Sequence, residues 1–128
     1  MMDNLKKVLI IDDDKIHLSI IESMLEAEYE VISVNSGKAA LNYLLKGLVP
    51  DIILLDILMP NMDGWETFHR LRAISLLEDV PVAFFTSVHG LADEERARGL
   101  GASDFIKKPC DREELIKKIE ALTEPQSA

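Results

Sequence analysis

The sequence is short of several things, and each shortage removes a class of protein. It holds one cysteine, Cys110, so no intrachain disulfide can staple the fold, a usage that matches a reducing compartment. Its apolar runs are short, four residues in Val8-Leu9-Ile10-Ile11, whereas crossing a bilayer takes roughly 20. The opening Met1-Met2-Asp3-Asn4-Leu5-Lys6-Lys7 leads into a strand-like run and lacks the apolar stretch and small-residue cleavage site of an export signal. Cytoplasmic localisation without membrane association is the resulting expectation. Aromatic residues make up 5% of the chain, which leaves Val, Ile and Leu to build the core, as in a sheet buried on both faces. Positive charge is scarce too: 14 Lys and Arg stand against 23 Asp and Glu, a formal net charge of -9 whose field repels nucleic-acid phosphates and anionic lipid. Direct nucleic-acid binding by this chain is therefore not expected.

What the sequence does have is a regular alternation. Its 128 residues suit one domain, with an ordered core over about 5–123 and a tail over 124–128 that contains Pro125. Apolar runs at Val8 to Ile11, Ile52 to Leu55 and Val82 to Phe85 are too short for helices and too continuous for strands with one wet face, so they read as central strands. Val31 to Val34 and Asp104 to Ile106 are more polar, as suits strands near a sheet edge. Between them helical spacing appears in Leu18, Ile21 and Leu25, in Ala40, Leu41, Leu44 and Leu45, and in Trp65, Phe68, Leu71 and Arg72, the last running on to an apolar stretch near Ile74. The segment Leu91 to Leu100 is the most polar of the helices and should be the loosest. The final helix is the clearest, with Asp111 as a cap, Glu114 in the capping-box position, and Leu115, Ile116, Ile119 and Leu122 on one face. Five alternations of strand and helix demand a doubly wound α/β fold, a parallel five-stranded sheet with helices on both faces.

Ligands of such sheets bind beyond the carboxyl ends of the strands. Asp12, Asp13 and Asp14 follow the first strand, Asp56 the third, Thr86 and Ser87 the fourth, and Lys108 and Pro109 the fifth. Each has a plain alternative reading: acids favour helix starts, a hydroxyl at a strand end bonds nearby backbone, and adjacent lysines are usually solvated. Strand alternation sends Lys107 and Lys108 to opposite faces, so at most one of them reaches a common site.

Taken together, Val8 to Asp14, Asp51 to Pro60 with Asp63-Gly64, Pro81 to Ser87 and Gly101 to Pro109 resemble the motifs of a two-component response-regulator receiver domain, in the same order and over nearly the whole chain. The resemblance is to chemotaxis-regulator-like members, and it implies a flavodoxin-like fold with strand order 2-1-3-4-5. It implies that Asp56 is the phosphoacceptor. It also implies that Mg2+ is held by Asp12, Asp13, Asp56 and the backbone carbonyl of Leu58, and that Thr86 and Lys108 contact the phosphoryl oxygens. Thr86 and Phe105 become the switch pair, acting on the face made by the fourth helix, fifth strand and fifth helix. The Lys108–Pro109 bond should be cis, while Pro60 and Gly64 shape the loop after Asp56. The implied phosphodonor is a sensor histidine kinase or a histidine phosphotransfer protein, and the implied recipient of the signal is a target protein or an output domain. The domain would act as a monomer or as a dimer formed on phosphorylation, and would be no enzyme beyond its own phosphoryl transfer and slow dephosphorylation. Slowness follows from Leu58 and Val88, apolar where fast-cycling members carry polar groups.

The chemistry is coherent with those residue types. A carboxylate can attack phosphorus and hold the group as an acyl phosphate once the surrounding negative charge is neutralised. Mg2+ takes oxygen ligands in a near-octahedral set, and an ammonium supplies a second positive charge. A flavin-binding module of the same topology would want a Ser, Thr or Gly phosphate loop where Asp12 to Asp14 stand. A small-molecule aspartyl-phosphate hydrolase would need its nucleophile after the first strand and a cap domain. A receiver-like module that binds proteins without phosphorylation remains the alternative. His17, His69 and His89 show no ligand spacing and read as surface or helix positions, Cys110 as a neighbour of the site with redox sensing a minor reading, and Trp65 as helix packing.

Overall fold

The computed structural model describes residues 5–88 and 90–124. His89 and most of the expected tail, residues 125–128, lie outside the described residues. The elements run β1 (Lys7–Ile11), α1 (Lys15–Leu25), β2 (Glu30–Val34), α2 (Gly37–Leu44), β3 (Ile52–Leu55), α3 (Gly64–Arg72), a 3-10 turn (Ser75–Leu77), β4 (Val82–Thr86), α4 (Leu91–Leu100), β5 (Asp104–Lys107) and α5 (Arg112–Thr123). The five strands are all parallel in the order β2-β1-β3-β4-β5, so the three most apolar runs occupy the centre and the two polar ones the edges.

Period-2 alternation along the central strands sorts their side chains between two cores. Val8, Ile10, Ile52, Leu54, Ala83 and Phe85 point to one face, where α1 and α5 cover them with Leu18, Ile21, Leu25, Leu115 and Ile119. Leu9, Ile11, Ile53, Leu55, Val82 and Phe84 point to the other, against Ala40, Leu44, Phe68, Leu71 and Ala97 of α2, α3 and α4. Helix starts follow the side chains available: Asp14, Ser36, Asp63 and Asp111 each accept backbone N–H bonds from the first turn of α1, α2, α3 and α5. Among the described residues no helix is long and apolar enough to cross a membrane.

Two expectations need correction. Leu45, grouped with the apolar face of the second helix, is the residue that ends it and is 70% exposed, because α2 stops at Leu44 before its next turn can reach the sheet. The third helix does not run on to Ile74. It ends at Arg72, whose guanidinium bonds the carbonyls of Leu77 and Val80 at 3.0 and 2.9 Å and so ties down the 3-10 turn instead of extending the apolar face.

Helix α4 is as lightly held as its composition predicts. Ala97 is its one buried residue, and Leu91 and Leu100 at its two ends are exposed. Two polar contacts add to that anchor. The Arg96 guanidinium lies 4.2 Å from the centroid of Trp65 on α3, and Glu94 pairs with Lys107 on β5 at 3.4 Å. Trp65 in turn packs on Phe84 of β4, two residues before Thr86. Since Trp65 is the only tryptophan, its fluorescence reports the contact cleanly. Arg96→Ala is expected to make Trp65 more quenchable by acrylamide and to lower stability by about 0.5–1 kcal/mol, the usual worth of an exposed cation–π pair. Unchanged quenching would mean that Arg96 does not shield the ring.

Candidate functional site

The register of the sheet assembles the site. Ile11 and Leu55 are direct partners in the β1–β3 ladder, so the residues that follow them, Asp12 and Asp56, emerge side by side. Backbone bonds continue the ladders one step further: Asp56 N–H to the Ile11 carbonyl at 2.9 Å, and Lys108 N–H to the Thr86 carbonyl at 2.9 Å. Four consecutive strand ends thereby deliver Asp12, Asp56, Thr86 and Lys108 to one rim. The turn after Asp56 is closed by Gly64, whose N–H bonds the Ile57 carbonyl at 2.7 Å, and by Asn61, which adopts a left-handed φ of 69°. That Asn61 takes the strained position, beside the anticipated Pro60 and Gly64, is new from the structure.

Asp12, Asp56 and Thr86 are buried, an unusual concentration of polar groups at the edge of an apolar core. Asp13 sits at the exposed lip, and a carboxylate oxygen from each of Asp12, Asp13 and Asp56 lies within 4.8 Å of the others. The Lys108 ammonium, on a side chain only 9% exposed, bridges the two buried acids at 2.5 Å from Asp12 Oδ2 and 3.5 Å from Asp56 Oδ2. Lys107 points away to Glu94, as strand alternation requires. The second oxygens are held by backbone: Asp12 Oδ1 accepts from Asp14 N–H at 2.9 Å, and Asp56 Oδ1 from Ile57 N–H at 2.8 Å. Asp56 Oδ2 has the longer Lys108 contact and no backbone partner, and is the freest buried carboxylate oxygen of the set.

Electrostatics at Asp56 are left unbalanced. Burial pushes its carboxyl above the usual carboxylate range; Lys108 and then the Thr86 hydroxyl pull it down, Asp12 pushes it up, and the Ile57 amide lowers it slightly. A carboxylate that is buried, next to another carboxylate and only partly compensated wants another cation. Three hard oxygen donors so close together are the donor chemistry for a divalent ion such as Mg2+, and they fit it.

A family model for the response regulator receiver domain matches residues 8–120. The chain belongs to that family. Among curated relatives, the receiver is 36% identical to the response regulator PleD of Caulobacter vibrioides over 91% of this chain and 26% of PleD, and 35% identical to the cell cycle response regulator CtrA of Brucella ovis over 91% of this chain and 49% of CtrA. It therefore spans between a quarter and a half of the length of these relatives. Among solved structures, the chemotaxis protein CheY4 of Vibrio cholerae superposes with a TM-score of 0.86 at 28% identity, covering 92% of this chain and 98% of that one. The receiver domain of the sensor histidine kinase PA1611 from Pseudomonas aeruginosa, solved with a magnesium ion coordinated in its active-site cleft, gives 0.83 at 27% identity over 92% and 97%.

In this receiver the remaining expected residues fall as follows. The Lys108–Pro109 bond is cis. Leu58 stands two residues beyond Asp56 with its side chain 65% exposed. Phe105 is half-buried, its ring 6.3 Å from that of Phe84, and the Thr86 hydroxyl accepts from Val88 N–H at 3.1 Å. Asp14, next to Asp12 and Asp13, is the cap of α1, with its Oδ1 accepting from Ile16 and His17 N–H. Cys110 is buried, and burial, with Glu114 beside it, pushes its thiol up to about 11, so it presents little of the thiolate that redox sensing needs. His69 is exposed and His17 lies in α1, as expected, and the Nδ1 of His17 also comes within 3.3 Å of Lys108 Nζ. No sequence spacing marks it, because its neighbour lies 91 positions away in the chain.

Proposed function

We propose that this receiver accepts a phosphoryl group on Asp56, with Mg2+ beside it, from a sensor histidine kinase or a histidine phosphotransfer protein, and that the change remodels the α4-β5-α5 face to control a target or an output domain. The observation that carries this reading is the pairing of a free, buried carboxylate oxygen on Asp56 with one ammonium and two further acids at the same rim. Asp12, Asp13, Asp56 and the Leu58 carbonyl would hold the ion, which when bound supplies positive charge to the phosphoryl oxygens. The magnesium-bound cleft of the Pseudomonas receiver supports that assignment.

In the step itself, Asp56 Oδ2 attacks phosphorus, a new O–P bond forms, and the bond from phosphorus to the donor nitrogen breaks with its electron pair leaving on the imidazole. Lys108 keeps the attacking carboxylate anionic against its burial and then follows the phosphoryl oxygens. Thr86 turns its hydroxyl from acceptor of Val88 N–H to donor toward the phosphoryl group. That movement vacates space toward Phe105 and loosens α4, whose few anchors make two arrangements close in free energy. No group beyond this self-transfer chemistry is needed, and the domain is regulatory rather than enzymatic.

Incubation with acetyl phosphate and Mg2+ is expected to add the mass of one phosphoryl group to the wild type and nothing to Asp56→Asn. After removal of the donor, the added mass should decay slowly, since Leu58 and Val88 offer no polar group to position water. An unmodified wild-type mass would overturn the proposal.

A further inference from the structure

Lys108 carries three N–H donors and no acceptor. Asp12 Oδ2 stands at 2.5 Å, His17 Nδ1 at 3.3 Å and Asp56 Oδ2 at 3.5 Å from its nitrogen. Three donors therefore face three acceptors, on three different elements of the fold. An ammonium cannot accept, so a hydrogen bond between the two takes His17 Nδ1 as its acceptor. We infer that His17 is a positioning residue for phosphoryl transfer: with Asp12 it fixes two of the three Lys108 N–H bonds and so aims the third at the Asp56 oxygen that is to be phosphorylated. This inference rests on the phosphoacceptor reading of Asp56 and deepens it.

The placement of His17 is built in, not incidental. Asp14 caps α1 through the His17 amide at 3.3 Å, so the backbone that carries the ring is held by the cap. The imidazole is 41% exposed and contributes little packing, which leaves its polar edge as the reason for its position. Together with Ile20, Met24, Phe85 and Lys108 it lines a groove of about 290 Å³ running from the acidic rim between α1 and the segment after β5. Lys108 and His17 thus share one wall of the same groove. A flexible four-carbon side chain with only the two carboxylates for guidance would swing toward Asp12, its closest partner, and away from Asp56. His17 Nδ1 lies 3.9 Å from Asp12 Oδ2, so the two partners hold the ammonium from neighbouring directions and leave its remaining N–H for Asp56.

The test compares His17→Leu, which removes the acceptor, with His17→Asn, whose Oδ1 restores an acceptor at the Nδ1 position. With acetyl phosphate and Mg2+, initial phosphorylation of the Leu variant is expected to fall roughly tenfold, the consequence of losing one aligned charge-assisted hydrogen bond, while the Asn variant stays within about twofold of wild type. Mg2+ affinity by calorimetry should be unchanged in both, because His17 contributes no ligand. A second readout needs no phosphoryl transfer: in the metal-free protein, the Lys108 ammonium protons should exchange with solvent several-fold faster in the Leu variant and at the wild-type rate in the Asn variant. Wild-type behaviour of His17→Leu in both measurements would overturn the inference, as would an Asn variant no better than Leu, which would make the ring's bulk the cause. A wild type that never gains the phosphoryl mass would overturn this inference together with the reading beneath it, and is distinguishable from both.

Discussion

Asp56→Asn is expected to stabilise the metal-free protein, raising its melting temperature by roughly 4–10 °C, even as it removes the proposed phosphoacceptor. The Asp56 carboxylate is buried beside the buried Asp12, and Lys108 makes its short contact to Asp12 instead. An amide of the same shape keeps the Ile57 N–H bond to its oxygen and sheds the charge. The gain corresponds to about 1–2 kcal/mol, typical of relieving a destabilised functional site. The pH dependence follows from the direction of the Asp56 shift. Its folded value lies above the unfolded one, so between the two the native state holds a proton that the unfolded chain has lost. Stability contributed by this group is therefore lost as pH rises from the ordinary carboxylate range through the raised value, the reverse of a salt-bridged acid. Melts in EDTA across that range should show the advantage of Asn growing with pH. Adding Mg2+ should then stabilise the wild type by mass action and the variant far less. A variant that melts below the wild type in EDTA at neutral pH would contradict this account of the rim.

Gly64→Ala is expected to cost about 2–4 kcal/mol, a large loss for a one-methyl change, because the methyl has nowhere to go. A Cβ at Gly64 would stand 2.2 Å from the Asp56 carbonyl oxygen and 2.6 Å from Ile57 Cα. Both are main-chain atoms at the end of β3, so relief requires moving α3 or the backbone that carries Asp56. The same displacement should weaken Mg2+ binding in whatever fraction still folds. Gly99→Ala supplies the control: it lies in α4 with nothing within 4 Å of an added Cβ, and it should gain roughly 0.4–1 kcal/mol from reduced freedom of the unfolded chain. Equal thermal stabilities for the two variants would show that the close approach at Gly64 is not a constraint.

Most of the rim could be read from the chain because it is written at strand ends. Asp12, Asp56, Thr86 and Lys108 each follow an apolar run, and parallel strands in one sheet must present their ends together, so sequence position alone implies spatial proximity. The capping of α5 by Asp111 and the light attachment of α4 were legible for a similar reason: both depend on residues within one turn or one helix face. Leu45 and Ile74 were misplaced because apolar spacing does not say where a helix stops; Arg72 ends α3 through carbonyls five and eight residues away.

Local chemistry in this protein, then, was set by sequence alone: which segments are strands, which of them are central, where the acids, the hydroxyl and the lysine emerge, and which residues cap the helices. Those properties depend on neighbours within a few positions. Only the tertiary structure decided that Lys108 bridges Asp12 to Asp56, that His17 of α1 lies beside it, that Arg96 rests on Trp65, and that Gly64 must lack a side chain. Each of these is a contact between elements, fixed by how helices are turned and seated on the sheet, and no periodicity within a single segment encodes that.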